Sequence, residues 1–263
     1  MSLVFAAYTS HPPLLIPEIA KDHKHKLDQT NAAMQRLVEE LYVSAPDLII
    51  FISPHTGIHH QAFTINAHPS FHGSFKEFGE LERDIKRKGA PHVAAQLSHL
   101  CTNQELPVQL ISDQELDHGV MIPLSILTQS LPKVPILPIG FSGMSPQKHL
   151  QFGSIIKEYM AHETKRIAIV ATGDLSHCHT KIAPGGYHVD GQEFDEQFIN
   201  CLEHKNTSGI IHMDQELVTN AQECGYRVGV ILLGILQNVN YDFERLAYEK
   251  PYGVGYLTGL FHF

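Results

Sequence analysis

The chain has 263 residues, of which 19 are histidine and none is tryptophan. Hydrophobic residues make up 43% and charged residues 18%, a balance that excludes an intrinsically disordered chain. With 19 Lys and Arg against 28 Asp and Glu, the formal net charge of −9 argues against a protein that grips phosphate backbones.

In chain order, short β-branched runs alternate with longer amphipathic stretches. Leu3 to Tyr8, Leu48 to Ser53, Val108 to Ile111, Ile136 to Phe141 and Ile167 to Ala171 read as strands. The near-continuous apolarity of IIFIS and IAIVA suits strands covered on both faces. Gln29 to Leu41 has helical spacing, with Ala33, Leu37 and Leu41 on one side. Further helices are expected over Ile122 to Gln129, Pro146 to Met160 and Gly191 to His204, the second capped by Ser145 with Pro146 in its first turn. Tyr226 to Leu236 is apolar all round and predicts a buried helix. Phe75 to Gly89 is the most polar segment and reads as a solvated helix or loop, while Tyr248 to Phe263 reads as a glycine-bearing strand. This alternation predicts an α/β fold with a central, mostly parallel or mixed sheet flanked by helices. No repeat or long linker divides the chain, so residues 1–263 are expected to form one domain.

Cys101, Cys178, Cys201 and Cys224 form no CxxC pair, which argues against a zinc ribbon and a disulfide scaffold. The N-terminal apolar run lacks a basic flank and is broken by His11 and prolines, unlike a signal peptide. No stretch reaches the length of a membrane span. A cytoplasmic protein that binds neither nucleic acid nor membrane is the expectation.

In open α/β sheets, ligands collect beyond the carboxyl ends of the strands. His11, His55 and His177 each follow a predicted strand, and His118 opens a helix in LDHGVMIPL. Any one of them reads most simply as a hydrogen-bonded structural residue, but four at the ends of different strands read as a site. His59, His60 and His179 flank these motifs, His188 lies in a probable loop, His23 and His25 read as solvent-exposed, and the remaining histidines, in loops or on polar helix faces, read as non-functional. Imidazoles suit zinc, copper or iron, and one added carboxylate gives the facial triad of non-haem Fe(II) oxygenases. The acids beside apolar segments are Asp117, Asp174, Glu223 and Glu249, and Glu223 reads equally well as a capping acid at the start of the buried helix.

Six motifs in order, SHPPLLIPE, SPH, LDHGVMIPL, ATGDLSH, ECGYR and YGVGYL, resemble the class III extradiol dioxygenase superfamily, which includes the protocatechuate 4,5-dioxygenase B subunit and the Memo-like proteins. The resemblance runs from His11 almost to the C-terminus. It implies that His11, His55 and Glu223 bind the metal, with Glu249 as the fallback carboxylate. It implies that His177 is the catalytic acid/base and His118 a second proton donor or substrate contact. In Memo-like relatives a cysteine takes a place near Cys224. The implied chemistry is ring opening of a catecholic or aminophenolic substrate with O2 at Fe(II), zinc or another divalent metal being the alternative. A homodimer is implied, in some members with a small second subunit. The alternative within the resemblance is a Memo-like metal-binding or partner-binding protein that cleaves no ring.

Overall fold

The computed structural model describes residues 2–263, with the side chains of Asp22 and Lys24 outside the description. β1 (Leu3–Thr9) leads through the single helical turn α1 (Pro17–Ala20) into α2 (Asp28–Val43) and β2 (Leu48–Ser53). β3 (Phe63–Asn66) follows, then a hairpin of β4 (Ser70–Ser74) and β5 (Asp84–Lys88), α3 (Pro91–Asn103) and β6 (Val108–Ile111). Next come α4 (His118–Leu127), β7 (Ile136–Gly140), α5 (Pro146–Ala161) and β8 (Ile167–Thr172). The last third holds α6 (Asp190–Glu203), α7 (Thr207–Ile211), α8 (Gln215–Asn220), α9 (Tyr226–Ile235), β9 (Asp242–Glu249) and β10 (Tyr256–His262).

Eight of the strands form one mixed sheet in the order β6-β3-β7-β2-β8-β1-β10-β9. The centre is parallel: β1 and β2 both pair with β8, and β2 pairs with β7. Antiparallel pairs join β3 to β7, β1 to β10 and β10 to β9. Every residue of β2 and β8 is buried, as their unbroken apolar runs require for strands covered on both faces. Ile50, Ile52, Ile167 and Ile169 face a core closed by α3, α5, α6 and α9. Phe51, Ala168 and Val170 face the opposite core under α2 and α4. The α/β class and the mixed sheet agree with the sequence reading.

Four parts of that reading change. The C-terminal segment is two antiparallel strands, β9 and β10, separated by a short turn at Pro251–Gly253. The polar Phe75 to Gly89 segment contains β5, an exposed and charged strand whose partner is β4 alone. Such short, lysine-bearing strands lack the apolar alternation that marks a core strand. The α4 helix starts at His118 and not at Ile122, because the Asp117 carboxylate caps it by accepting the Val120 N–H at 3.1 Å. Ser145 occupies the position before α5, but its side chain makes no capping bond.

Candidate metal centre and active site

Because β1, β2 and β8 are parallel, their carboxyl ends reach one edge of the sheet together. The antiparallel β10 begins at that same edge, so its first residue, Tyr256, joins them. The helix start at α4 adds His118. The resulting pocket, about 270 Å³, is lined by His11, His55, His118, Asp174, His177 and Cys224, with Phe78 and Tyr256 on its walls.

His11 is 2% exposed. Its Nδ1 lies 2.8 Å from the Thr172 hydroxyl, which leaves Nε2 facing the pocket. That Nε2 stands 3.3 Å from the His55 Nε2 and 3.8 Å from both Asp174 Oδ2 and Cys224 Sγ. Burial, reinforced by the neighbouring His118, pulls the His11 pKa down to about 3. Burial and the His11 ring likewise lower His55 to about 4. Both rings are therefore neutral donors at pH 7, the form that binds metals.

Asp117 sets the other side of the pocket without facing it. Its Oδ1 accepts from the Ser53 hydroxyl at 2.7 Å and its Oδ2 from the Thr56 hydroxyl at 2.6 Å, on either side of His55. The same carboxylate caps α4, so one residue holds both His55 and His118 in place. Their ring centroids are 4.1 Å apart. Gly119 permits the approach, since a Cβ there would stand 2.5 Å from the Ser53 hydroxyl.

His177 closes the third side. Its Nδ1 meets the Gln222 carbonyl and must donate to it, which leaves Nε2 free as a base in the neutral ring. Nε2 lies 4.0 Å from Asp174 Oδ2. Asp174 follows β8 and is 7% exposed; burial raises its pKa, against the lowering effect of the His11 backbone N–H it accepts at 3.0 Å. Cys224 is raised well above an ordinary thiol by burial and by the adjacent Asp174 and Glu223.

Among the described residues, two sets of three donor atoms lie within 4.8 Å of one another: His11, His55 and His118, and His11, Asp174 and Cys224. Two nitrogens each about 2.1 Å from one ion at a near-tetrahedral angle stand about 3.4 Å apart, close to the spacing of the two Nε2 atoms. Each set brings neutral imidazole, carboxylate or thiol donors within reach of one ion, and the two meet at His11, so the residues fit a divalent metal.

The acids read from the sequence are placed differently. Glu223 belongs to neither donor set. Its carboxylate accepts the Tyr226 N–H at the start of α9 and lines a separate pocket with Arg227, Phe141 and His55. Burial raises its pKa to about 7. Glu249 is turned to Thr30, accepting from its N–H at 2.8 Å and its hydroxyl at 2.6 Å. Asp174, three residues before His177 in the same motif, holds the carboxylate position beside His11. His59, His60 and His188 are exposed, and His179 pairs with the buried Asp195 at 2.8 Å.

An α/β sheet gathers three imidazoles, a carboxylate and a thiol at its carboxyl edge, a candidate metal site. The family model for the catalytic LigB subunit of aromatic ring-opening dioxygenase matches residues 5–259, and the chain belongs to that family. It is 27% identical over 255 residues to Protein CA_C1420 of Clostridium acetobutylicum, covering 94% of this chain and 54% of the relative. A Klebsiella pneumoniae 2,3-dihydroxyphenylpropionate/2,3-dihydroxicinnamic acid 1,2-dioxygenase is 22% identical over 178 residues, covering 64% of this chain and 54% of that protein. The chain thus spans about half the length of these curated relatives. The crystal structure of protein JW3007 from Escherichia coli K12 superposes with a TM-score of 0.71 at 15% identity, covering 99% of this chain and 100% of that one, a likeness of fold. No helix among the described residues is long and apolar enough to cross a membrane.

Proposed function

We propose that this chain is a non-haem Fe(II)-dependent extradiol dioxygenase that opens the ring of a catecholic or aminophenolic substrate with O2. The observation that carries the reading is the meeting of two donor sets at His11, one with His55 and His118 and one with Asp174 and Cys224, with His177 lining the same pocket. His11 and His55 would hold the metal with Asp174, and Cys224 stands beside them. Glu223, the carboxylate implied by the resemblance, serves in this reading as the cap of α9. Fe(II), when bound there, would supply open positions for the adjacent heteroatoms of the substrate and for O2.

The remaining work falls to the chain's own side chains. His177, its Nδ1 committed to the Gln222 carbonyl, takes a proton from a substrate hydroxyl at Nε2 and returns it when the ring opens. His118 donates a second proton or hydrogen bond from the opposite wall, where Phe78 lies edge-on to it with centroids 6.1 Å apart. Pro12, Pro13, Val254 and the Phe78 ring give the aromatic ring an apolar enclosure. The test is oxygen uptake by protein loaded anaerobically with Fe(II), across a panel of catechols and aminophenols. Iron bound without uptake on any of them contradicts the proposal.

A second reading rests on Cys224. A sulfur 3.8 Å from His11 Nε2 adds a soft donor that suits copper or zinc. In that case the same pocket serves metal binding without ring cleavage. Metal content after expression in iron-replete medium separates the readings: iron supports the oxygenase, copper or zinc the alternative. We propose in addition a cytoplasmic homodimer.

A further inference from the structure

Behind the pocket, Asp195 of α6 is a fully buried carboxylate that the chemistry above does not use. It accepts three hydrogen bonds: the Ser176 N–H at 2.8 Å on Oδ1, and His179 Nε2 at 2.8 Å and the Tyr248 hydroxyl at 2.6 Å on Oδ2. A buried carboxylate is costly to desolvate unless several donors face it; here two come from the segment that carries His177 and the third from β9, the strand paired with β10. Ser176 and His179 bracket His177. Tyr248 lies on β9, next to the strand that carries Tyr256.

The two wall segments are also tied to each other at this point. Leu175 N–H donates to the Gly255 carbonyl and Gly255 N–H to the Ser176 carbonyl, both at 2.8 Å, and His179 N–H donates to the Gly253 carbonyl at 3.1 Å. Asp195 sits against this junction so closely that a Cβ on Gly255 would stand 2.1 Å from its Oδ2. The residue therefore holds the Ser176 backbone and the His179 ring on either side of His177 and packs against the start of β10.

We infer that Asp195 is a positioning residue for the reaction: with His179 and Tyr248 it holds His177 and Tyr256 at their places on the pocket wall. The inference rests on the proposed role of His177. It assigns Asp195 no contact with substrate or metal. Its removal is expected to disturb the proton-transfer geometry while leaving the His11, His55 and Asp174 donors intact.

The test compares Asp195→Asn with Tyr248→Phe. Asparagine keeps one oxygen for the Ser176 N–H but turns donors toward His179 and Tyr248, which also donate. In the iron-loaded protein, kcat is expected to fall about tenfold or more with KM changed by less than about twofold, as small misplacement of a reacting group costs turnover and not binding. Metal stoichiometry stays at the wild-type value. Tyr248→Phe, which leaves the His179 pair, is expected to fall between the two. A second readout needs no turnover: in metal-free Asp195→Asn, hydrogen exchange accelerates over residues 175–179 and 253–256 and stays unchanged in β2.

Unchanged exchange in those segments overturns the inference, and so does faster exchange with wild-type kcat. Should Asp195→Asn not fold, Tyr248→Phe and His179→Gln carry the same comparison, and wild-type kcat in both overturns it. Absence of turnover in the wild-type protein brings down the functional reading and this one together. Turnover in the wild type with indifferent variants brings down this one alone.

Discussion

His11 and Asp174 meet twice: the His11 backbone N–H donates to Oδ1 at 3.0 Å, while its Nε2 lies 3.8 Å from Oδ2. The carboxylate thus braces the end of β1 with one oxygen and presents the other to the donor cluster. Asp174→Asn keeps the brace and removes the charge. We expect this substitution to weaken Fe(II) or Zn(II) affinity about 10- to 100-fold, read by competition with a chelating dye. Glu223→Gln, altering a side chain outside both donor sets, is expected to keep wild-type affinity. The reverse order of effects would place the ligand carboxylate at Glu223.

The depressed imidazoles make the metal-free protein acid-sensitive. His11 and His55 titrate near 3 and 4 in the folded chain, below the value of about 6.5 expected when unfolded. The unfolded chain therefore binds more protons through this range, and stability rises with pH. Their contribution is full above about pH 6.5 and is lost progressively as pH falls toward 4. The Tm of metal-free protein should drop by several degrees more between pH 7 and 5 in the wild type than in His11→Gln. Equal drops in the two would show that His11 does not supply this pH dependence.

Asp117 is expected to matter for stability before chemistry. Asp117→Ala removes the α4 cap and strands the hydroxyls of Ser53 and Thr56, which are 0% and 4% exposed. A lost cap costs about 1 kcal/mol and each stranded buried hydroxyl about 1 kcal/mol or more, so a loss of about 2–4 kcal/mol is expected in urea unfolding. A loss below about 0.5 kcal/mol would remove Asp117 from its role as the link between His55 and His118.

Glu249 provides the contrast. Its bonds to Thr30 tie α2 to β9, and its carboxylate belongs to neither donor set. Glu249→Gln is expected to cost about 1 kcal/mol through the weakened charge-assisted bond and to leave metal stoichiometry unchanged. Loss of metal in that variant would return Glu249 to the ligand set.

How much of this was legible in the sequence follows from where the physics is local. The central strands were readable because LIIFIS and IAIVAT are apolar on both faces. The helix over Asp28–Val43 was readable because Ala33, Leu37 and Leu41 recur at helical spacing. β3 spans only four residues, and β5 is charged at four of its five positions, so neither carries a periodic signal. His11, His55 and His177 line one pocket because β1, β2 and β8 are parallel and end at one edge, and His118 joins them from the start of α4. The carboxylate was harder, since a strand-end rule does not say which nearby acid turns inward. Glu223 and Asp174 both lie beside apolar segments, and only the fold shows Asp174 in a donor set with His11 and Glu223 accepting the Tyr226 N–H. Asp174 did carry a usable signal, directly after β8 and in the same motif as His177. Asp195 had none, because its three partners come from residues 176, 179 and 248 and meet only in the fold.

The most direct measurement of the central claim is simultaneous oxygen uptake and product absorbance with the protein reconstituted anaerobically with one Fe(II) per chain. The account predicts O2 consumed in equal amount to the ring-opened product for at least one catechol or aminophenol, and loss of that turnover with iron retained in His177→Ala. Stoichiometric iron with no uptake on any substrate, or full turnover in His177→Ala, would contradict it.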